Sequence, residues 1–426
     1  MLLGKGIRKL KATLLTFFIL FLPTQLGYHF WPPWAYVFGI RIDYLSPTVY
    51  FTDVIVVALA LLWLFEKRKK LGSIRPPHFL FLLGLFALVN ISTALLPQAA
   101  LYKWAKIAEL MVVAFIFFKD KSLDIKKTII LPLCAATMFV FIHAVIQLVL
   151  QKSLGGPLYF LGERTFTSGT PGISLYSIFG RFLLRPYSTF SHPNSMAGFV
   201  GVAFLFLVGL GQGLNKKPQT AILGSAACLG ALLLSGSKAA IGGLALVLGV
   251  YVLVRERKEF FKKALAGTTT FIVLASMLSP LLSNEILRKN IIFSESFGQR
   301  LTLSGLAGEL YSQKPLVGLG LNNFIPKAAG LKQTNYYPWL LQPVHNVPLL
   351  VLAETGIVGF GIFVWFLHKL VKKASRMPII FGLTIIFVLV TASVDHYWLT
   401  LQQNQLLLAV FIGAMLRKNY KKYLLH

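Results

Sequence analysis

The sequence predicts an all-α polytopic membrane protein with about twelve transmembrane helices. Three observations carry this. Of 426 residues, 56% are hydrophobic, and the mean hydropathy is +0.70. Only 13% are charged, against about a quarter in a soluble domain. Apolar runs of near-spanning length recur from one end to the other. The spans take up most of the length, so residues 1–426 read as a single integral membrane domain.

A span needs roughly 20 apolar residues. The expected segments are 12–30, 47–65, 78–96, 102–118, 128–150, 194–211, 219–234, 238–254, 264–282, 346–367, 378–394 and 400–416. The first has the basic start and apolar run of a signal peptide, but no small-x-small cleavage site follows, so an uncleaved span is expected. Several segments are short and bounded by Pro or Gly, which predicts one or two broken or tilted spans. Cys134 and Cys228 both lie in apolar runs. They read as small core residues, with no disulfide framework and no metal-ligand spacing.

Charge sets the orientation. The net charge is +28, from 42 Lys and Arg against 14 Asp and Glu. In a soluble protein that balance would suggest nucleic acid, a partner not expected here. Seven clusters on alternate loops, from "KGIRKLK" to "RKNYKK", hold 28 of the basic residues. The short loops of the opposite set hold only Arg41, Lys103 and Lys238. Cytoplasmic loops collect Lys and Arg, so both termini are expected in the cytoplasm.

Two long connections face the other way. They run over residues 151–193 and 283–345, the latter between spans 9 and 10. Neither is of low complexity, so both are expected to be ordered over the membrane. Arginines among their aromatics and glycines suit an anionic lipid headgroup. No sequence repeat relates the two halves, which argues against a transporter built from repeats.

Four stretches hold candidate chemistry. In "RPYSTFSHPNSMAGFVGVAFLF", His192 and Asn194 stand at a helix entrance and could cap it or meet a ligand. Arg181 and Arg185 could snorkel to lipid phosphate or bind a ligand. In "LLLSGSKAAIGGLALVLG", Lys238 sits at a helix N-terminus, where the dipole is positive and a compensating anion is expected. In "FGQRLTLSGLAGELYSQKPLVGLGLNNF", Arg300 opens an amphipathic helix carrying Leu301, Leu303, Leu306 and Leu310. Lys314 and Pro315 end that helix, and Gly318 and Gly320 mark a sharp turn. "GLG" lacks the spacing of a nucleotide fingerprint.

The fourth stretch is "QPVHNVPLLVLAETGIVGFG". His345 and Asn346 begin a span, and a histidine there can take a proton near neutral pH. Glu354 follows at i+9. On an ideal helix the two side chains point about 180° apart and lie about 13 Å apart along the axis. A His-Glu dyad is therefore not expected, and Glu354 reads as a packing or network residue near Gly356 and Gly359. Asp53, Glu109 and Asp395 are further membrane carboxylates, each a candidate for function or for a buried helix–helix contact. "VDHYWLTLQQNQ" adds His396 at the edge of the last hairpin.

Arg-x-x-Ser-Thr-Phe-x-His-Pro-Asn from Arg185, Ser-Gly-Ser-Lys ending at Lys238, Arg300 with "PLVGLGLNNF", and "HNVPLLVLAETGIVG" occur in that order. Together they resemble the O-antigen ligase and O-antigen polymerase superfamily, most strongly from Arg185 to Gly361. The resemblance implies a GT-C-like helical fold and a glycosyltransferase that uses no metal and no cofactor. It implies a donor glycan on undecaprenyl pyrophosphate at the outer face of the bacterial cytoplasmic membrane. The acceptor would be lipid A-core, a second lipid-linked glycan, or a protein. Arg300 would sit near the pyrophosphate and His345 near the acceptor. Lys238 stands where the family more often has arginine, which keeps the charge but loses the bidentate fork.

The expected reaction is a single displacement at the anomeric carbon. His345 would deprotonate or hold the acceptor hydroxyl. Arg300, Lys238 and Arg185, with Arg181 as a further cation, would neutralise the leaving pyrophosphate. No pair of acids looks placed as in glycosidases. The rival class is a transporter or flippase of the same lipid-linked glycan. Basic loops confined to one side favour an enzyme over it.

Overall fold

A computed structural model describes residues 2–68, 78–120, 124–211, 219–288, 295–331 and 338–417. Of the basic residues, Lys69, Lys70, Arg75, Lys121, Lys216, Lys217, Lys289, Lys332, Lys418, Lys421 and Lys422 lie outside these ranges.

The chain is mostly helical, and helices fall on all twelve apolar segments. In order they are α1 (Leu2–Leu20), α2 (Phe51–Lys67), α3 (His78–Ser92), α4 (Pro97–Lys119), α5 (Leu131–Leu150), α6 (Pro157–Phe160), α7 (Pro193–Gly211) and α8 (Gln219–Leu234). They continue as α9 (Lys238–Val254), α10 (Lys258–Arg288), α11 (Glu295–Gln313), α12 (Phe324–Ala329), α13 (Val347–Ala374), α14 (Ile379–Ala392), α15 (Tyr397–Thr400) and α16 (Gln402–Leu416). A π-helical turn, Lys126–Ile130, leads into α5. Among the described residues, α7, α10, α13 and the 126–150 helix are long and apolar enough to cross a membrane by length and composition. Helices α3, α8, α9 and α14 are apolar but shorter.

One expected boundary shifts. The first helix runs from Leu2 to Leu20, not over 12–30, because the chain after Pro23 turns into strand. The mostly helical fold fits the expected all-α class, with little sheet. Among the described residues three short antiparallel strand pairs occur: β1 (Gly27–His29) pairs with β4 (Thr48–Tyr50), β2 (Tyr36–Val37) with β3 (Ile40–Arg41), and β5 (Leu175–Ile178) with β6 (Arg181–Leu184). All three stand at one end of the bundle. Gln25 N donates to Leu161 O across 2.9 Å, joining the first long connection to the β1–β4 region.

Helix α7 is the centre of the core. Its glycines let large side chains approach: Gly198 faces Tyr397, Gly201 faces Phe387 and Gly209 faces Ile380. Small residues at such crossings permit the close packing that holds helices together in lipid. Buried charge is paired between helices. Lys106 of α4 contacts Asp53 of α2 and, at 3.1 Å, Glu109, while Gln402 of α16 donates to Asp53 at 2.7 Å. Asp53 and Glu109 are thus helix–helix partners.

Helix α13 is broken at Gly356, whose φ of 63° and ψ of −172° lie outside the helical region. The break frees backbone groups that must be paired in an apolar interior. The "PLVGLG" segment pairs them. Ala353 and Glu354 carbonyls accept from Leu319 N (3.1 Å) and Gly320 N (2.9 Å). Ile357 N and Val358 N donate to Pro315 O (2.8 Å) and Leu316 O (3.2 Å). Buried Asn90 of α3 ties the join, donating to Val317 O and Glu354 O and accepting from Leu321 N.

The broken helix settles what Glu354 does. Its carboxylate accepts from Phe324 N at 3.1 Å, capping the start of α12. His345 lies before the N-cap Asn346 and takes no part in this.

Candidate active site

Four pieces of chain meet at the hairpin end of the bundle: the 185–194 segment entering α7, the head of α13, the turn between α14 and α15, and Arg300 on α11. The first piece is held from below by Gln147 and Glu163. Gln147 Oε1 accepts from Tyr187 N (2.9 Å) and Ser188 N (2.7 Å), while its Nε2 donates to Glu163 (2.8 Å). Glu163 also accepts from Leu154 N and Gly155 N and faces His143 at 2.9 Å. These bonds fix a loop that carries no regular structure of its own.

Arg185 begins a chain of polar contacts. Its Nε donates to Ser235 O at 2.7 Å and its Nη2 to Asn194 Oδ1 at 2.7 Å. Asn194 Nδ2 donates to Asp395 Oδ2 at 3.0 Å, and Asp395 Oδ1 accepts from His396 N at 2.8 Å. The His396 ring lies between two others. It meets His345 edge-on with centroids 4.8 Å apart and Tyr44 at 5.3 Å. One polar atom each of His345, Asp395 and His396 lie within 4.8 Å of one another. His192 completes the group: Nδ1 accepts from Asn194 N at 3.1 Å, and Nε2 meets Ser174 Oγ at 3.0 Å.

The charge of Arg300 acts on Arg185, His192, His345 and His396. Two atoms here are buried without a hydrogen-bond partner: Arg300 Nε and His345 Nδ1. Unpaired buried polar atoms are costly and rare. Ligand oxygens or hydroxyls could satisfy them.

Burial and electrostatics set the protonation. Burial pushes His192 down to about 4; Asp395 opposes this, while Arg185, His345 and Arg300 add to it. Burial and the field of His345 push His396 down to about 3. Burial also lowers His345; Asp395 opposes this and Arg300 adds to it. Burial raises Asp395, but His396, His345, His192 and the Asn194 amide outweigh it and leave its carboxyl below the ordinary range. The result is a carboxylate among neutral imidazoles, with two guanidinium groups acting on them. Imidazole and carboxylate are also metal-ligand types. A divalent cation here would meet the charge of Arg185 and Arg300.

The predicted residues divide in two. The structure brings together Arg185, His192, Asn194, Arg300 and His345. Asn346 lies beside them as a cap, its Oδ1 accepting from Leu349 N at 3.0 Å. Lys238 is exposed at the start of α9, whose cap is Ser237. Arg181 is exposed on β6. Among the described residues neither has a hydrogen bond or ion pair to the group. Asp395 and His396 stood in the sequence as an isolated acid and an unassigned histidine. Their only signal was a position at the same end of the bundle as His345.

This architecture defines the class: a helical membrane protein with a polar, guanidinium-bearing site at one end of its bundle. Residues 223–364 match the family described as O-Antigen ligase. A putative polysaccharide ligase of Rickettsia conorii is 28% identical over 149 residues, covering 32% of this chain and 34% of that protein. The chain therefore spans about a third of that relative's length in the match. Both matches fall on part of the chain and point to the O-antigen ligase superfamily. The matched region holds Lys238, Arg300, His345 and Glu354, while Arg185, His192, Asn194, Asp395 and His396 lie outside it.

Proposed function

We propose that the protein is a metal-independent, O-antigen ligase-related glycosyltransferase. It moves a glycan from undecaprenyl pyrophosphate to an acceptor hydroxyl at the outer face of the cytoplasmic membrane, across which the chain passes twelve times. The observation that carries this is two buried atoms without a hydrogen-bond partner, Arg300 Nε and His345 Nδ1, with the charges of Arg300 and Asp395 both acting on His345.

His345 is neutral and holds a free ring nitrogen, so it can take the acceptor proton as the acceptor oxygen bonds to the anomeric carbon. The bond from that carbon to the pyrophosphate oxygen breaks in the same step. Negative charge then grows on the leaving group, where Arg300 and Arg185 stabilise it. Asp395 faces the imidazolium that forms. Asn194 and His192 hold Arg185 and Asp395 in place and need not touch substrate. Lys238 is reserved for contacts with a bound donor, whereas Arg181, at the far end of β6 from Arg185, is not needed at the pyrophosphate.

The test uses purified protein in membranes with a lipid-linked glycan donor. His345→Ala is expected to lower transfer by about 10²–10⁴-fold, and Arg300→Ala by about 10²–10³-fold. Full transfer by either variant would remove its assigned role. Donor alone giving a ladder of products would make the enzyme a polymerase. A single transfer to lipid A-core or another acceptor would make it a ligase. Movement of unreacted donor across the vesicle would replace the enzyme reading with transport.

A further inference from the structure

Two hairpins at the site end of the bundle turn on the same pair of residues. In "VFGIR", Phe38 (φ 51°) and Gly39 (φ 75°) link β2 to β3. In "IFGRF", Phe179 (φ 49°) and Gly180 (φ 78°) link β5 to β6. A two-residue turn with positive φ at both positions ordinarily takes Asn or Asp first. A bulky side chain in that conformation is strained.

Neither ring gains packing within the protein. Phe38 is 56% exposed and Phe179 is 102% exposed, with Phe182 beside it at 72%. Burying a phenylalanine in an apolar medium outweighs the strain of one left-handed residue, whereas exposing it to water offsets nothing. In a membrane-spanning protein that medium is lipid.

Charge points to the same partner. Glu163 is the only carboxylate between residues 151 and 193, and it is buried and fully engaged. The exposed charges of this segment, Lys152, Arg164 and Arg181, are all positive. On the first hairpin Arg41 lies over Trp31 at 5.2 Å, with exposed Asp43 nearby in sequence, so the second hairpin carries the charge argument. The β5–β6 ladder spans four residues per strand, which places its tip about 13 Å from its base at Arg185.

We propose that the two Phe-Gly tips are lipid anchors, placing Phe38, Phe179 and Phe182 at the headgroup–acyl boundary of the near leaflet, with Arg181 against anionic phospholipid headgroups. Arg185 would then be fixed at a set height above the bilayer surface. Aromatic rings at that depth and arginines on lipid phosphate are the ordinary chemistry of membrane interfaces.

The experiment uses the whole protein in nanodiscs. Phe179→Cys is labelled with a small fluorophore, and the parent, whose Cys134 and Cys228 are buried, serves as the labelling blank. The expected result is quenching by a nitroxide lipid and protection from aqueous iodide. Adding phosphatidylglycerol should deepen insertion, and Arg181→Ala should lower the inserted-to-free ratio about fivefold in those discs. In detergent, Phe179→Asn should keep or raise the melting temperature, since Asn relieves the turn. Iodide quenching without lipid quenching would overturn the proposal. So would a melting temperature that falls with Phe179→Asn, because the ring would then be packed on protein.

Discussion

At the scale of residues, His345 owes its behaviour to its neighbours. A base must be neutral to accept a proton, and burial keeps His345 below its ordinary 6.5, with Asp395 pulling the other way. The rate of transfer is therefore expected to be full at neutral pH and to fall on an acid limb below 6.5. Asp395→Asn removes the raising field, so that limb should move further toward acid in a pH–rate profile. A limb moving toward alkali would show that Asp395 does not act on His345. Stability follows the same sign. His192 and His396, at about 4 and about 3 in the fold, rise to about 6.5 when unfolded. Their contribution is complete above pH 6.5 and is lost as pH falls toward 4 and 3. His345 and Arg300 were legible in the sequence because each sits in a motif at a helix edge. Asp395 and His396 were not, because no local pattern says that the 395 turn lies against residue 345.

Helices are where the sequence speaks most clearly, since an apolar run long enough to span is also a helix in lipid. Short hairpins are nearly silent. Strands of two to four residues, as in β2–β3 and β5–β6, give no alternation long enough to read. The break in α13 was hidden for another reason. "LAETGIVG" continues a helical apolar pattern through Gly356, and only the distant "PLVGLG" explains why the helix can stop there. The separation of His345 from Glu354, argued from an unbroken helix, holds because the residues lie on opposite sides of a cap and serve different partners. Gly356→Ala is expected to destabilise strongly. The backbone conformation alone costs a side chain about 1–3 kcal/mol, and an added Cβ would strike the Leu316 carbonyl. Thermal unfolding in detergent checks this, and a melting temperature equal to the parent's would show that the break closes freely.

For the whole molecule, charge and hairpins give opposite ends of one axis. The basic clusters lie on alternate loops, while β1–β4, β5–β6 and the site gather at a single end. Cysteines placed at Lys9 and Lys258 are expected to react with an impermeant thiol reagent from the same side of sealed vesicles. A cysteine at Phe179 should react from the other. Labelling of all three from one side would overturn the orientation. If that orientation holds, the net charge of +28 records how the chain sits in the membrane more than what it binds. On the proposed reading, binding falls to a few guanidinium groups whose positions depend on contacts between distant segments.

The join between α13 and "PLVGLG" also constrains how the chain can change in length. Helix geometry turns 100° and rises 1.5 Å with each residue. Losing one residue between His345 and Gly356 would swing His345 a quarter-turn away from His396 while Gly356 stayed clamped. Between the end of α12 and Val344 the chain carries no residue of the proposed site, so added residues could be absorbed there. Relatives and engineered variants should therefore differ in the length of that loop while keeping the interval from His345 to Gly356 constant.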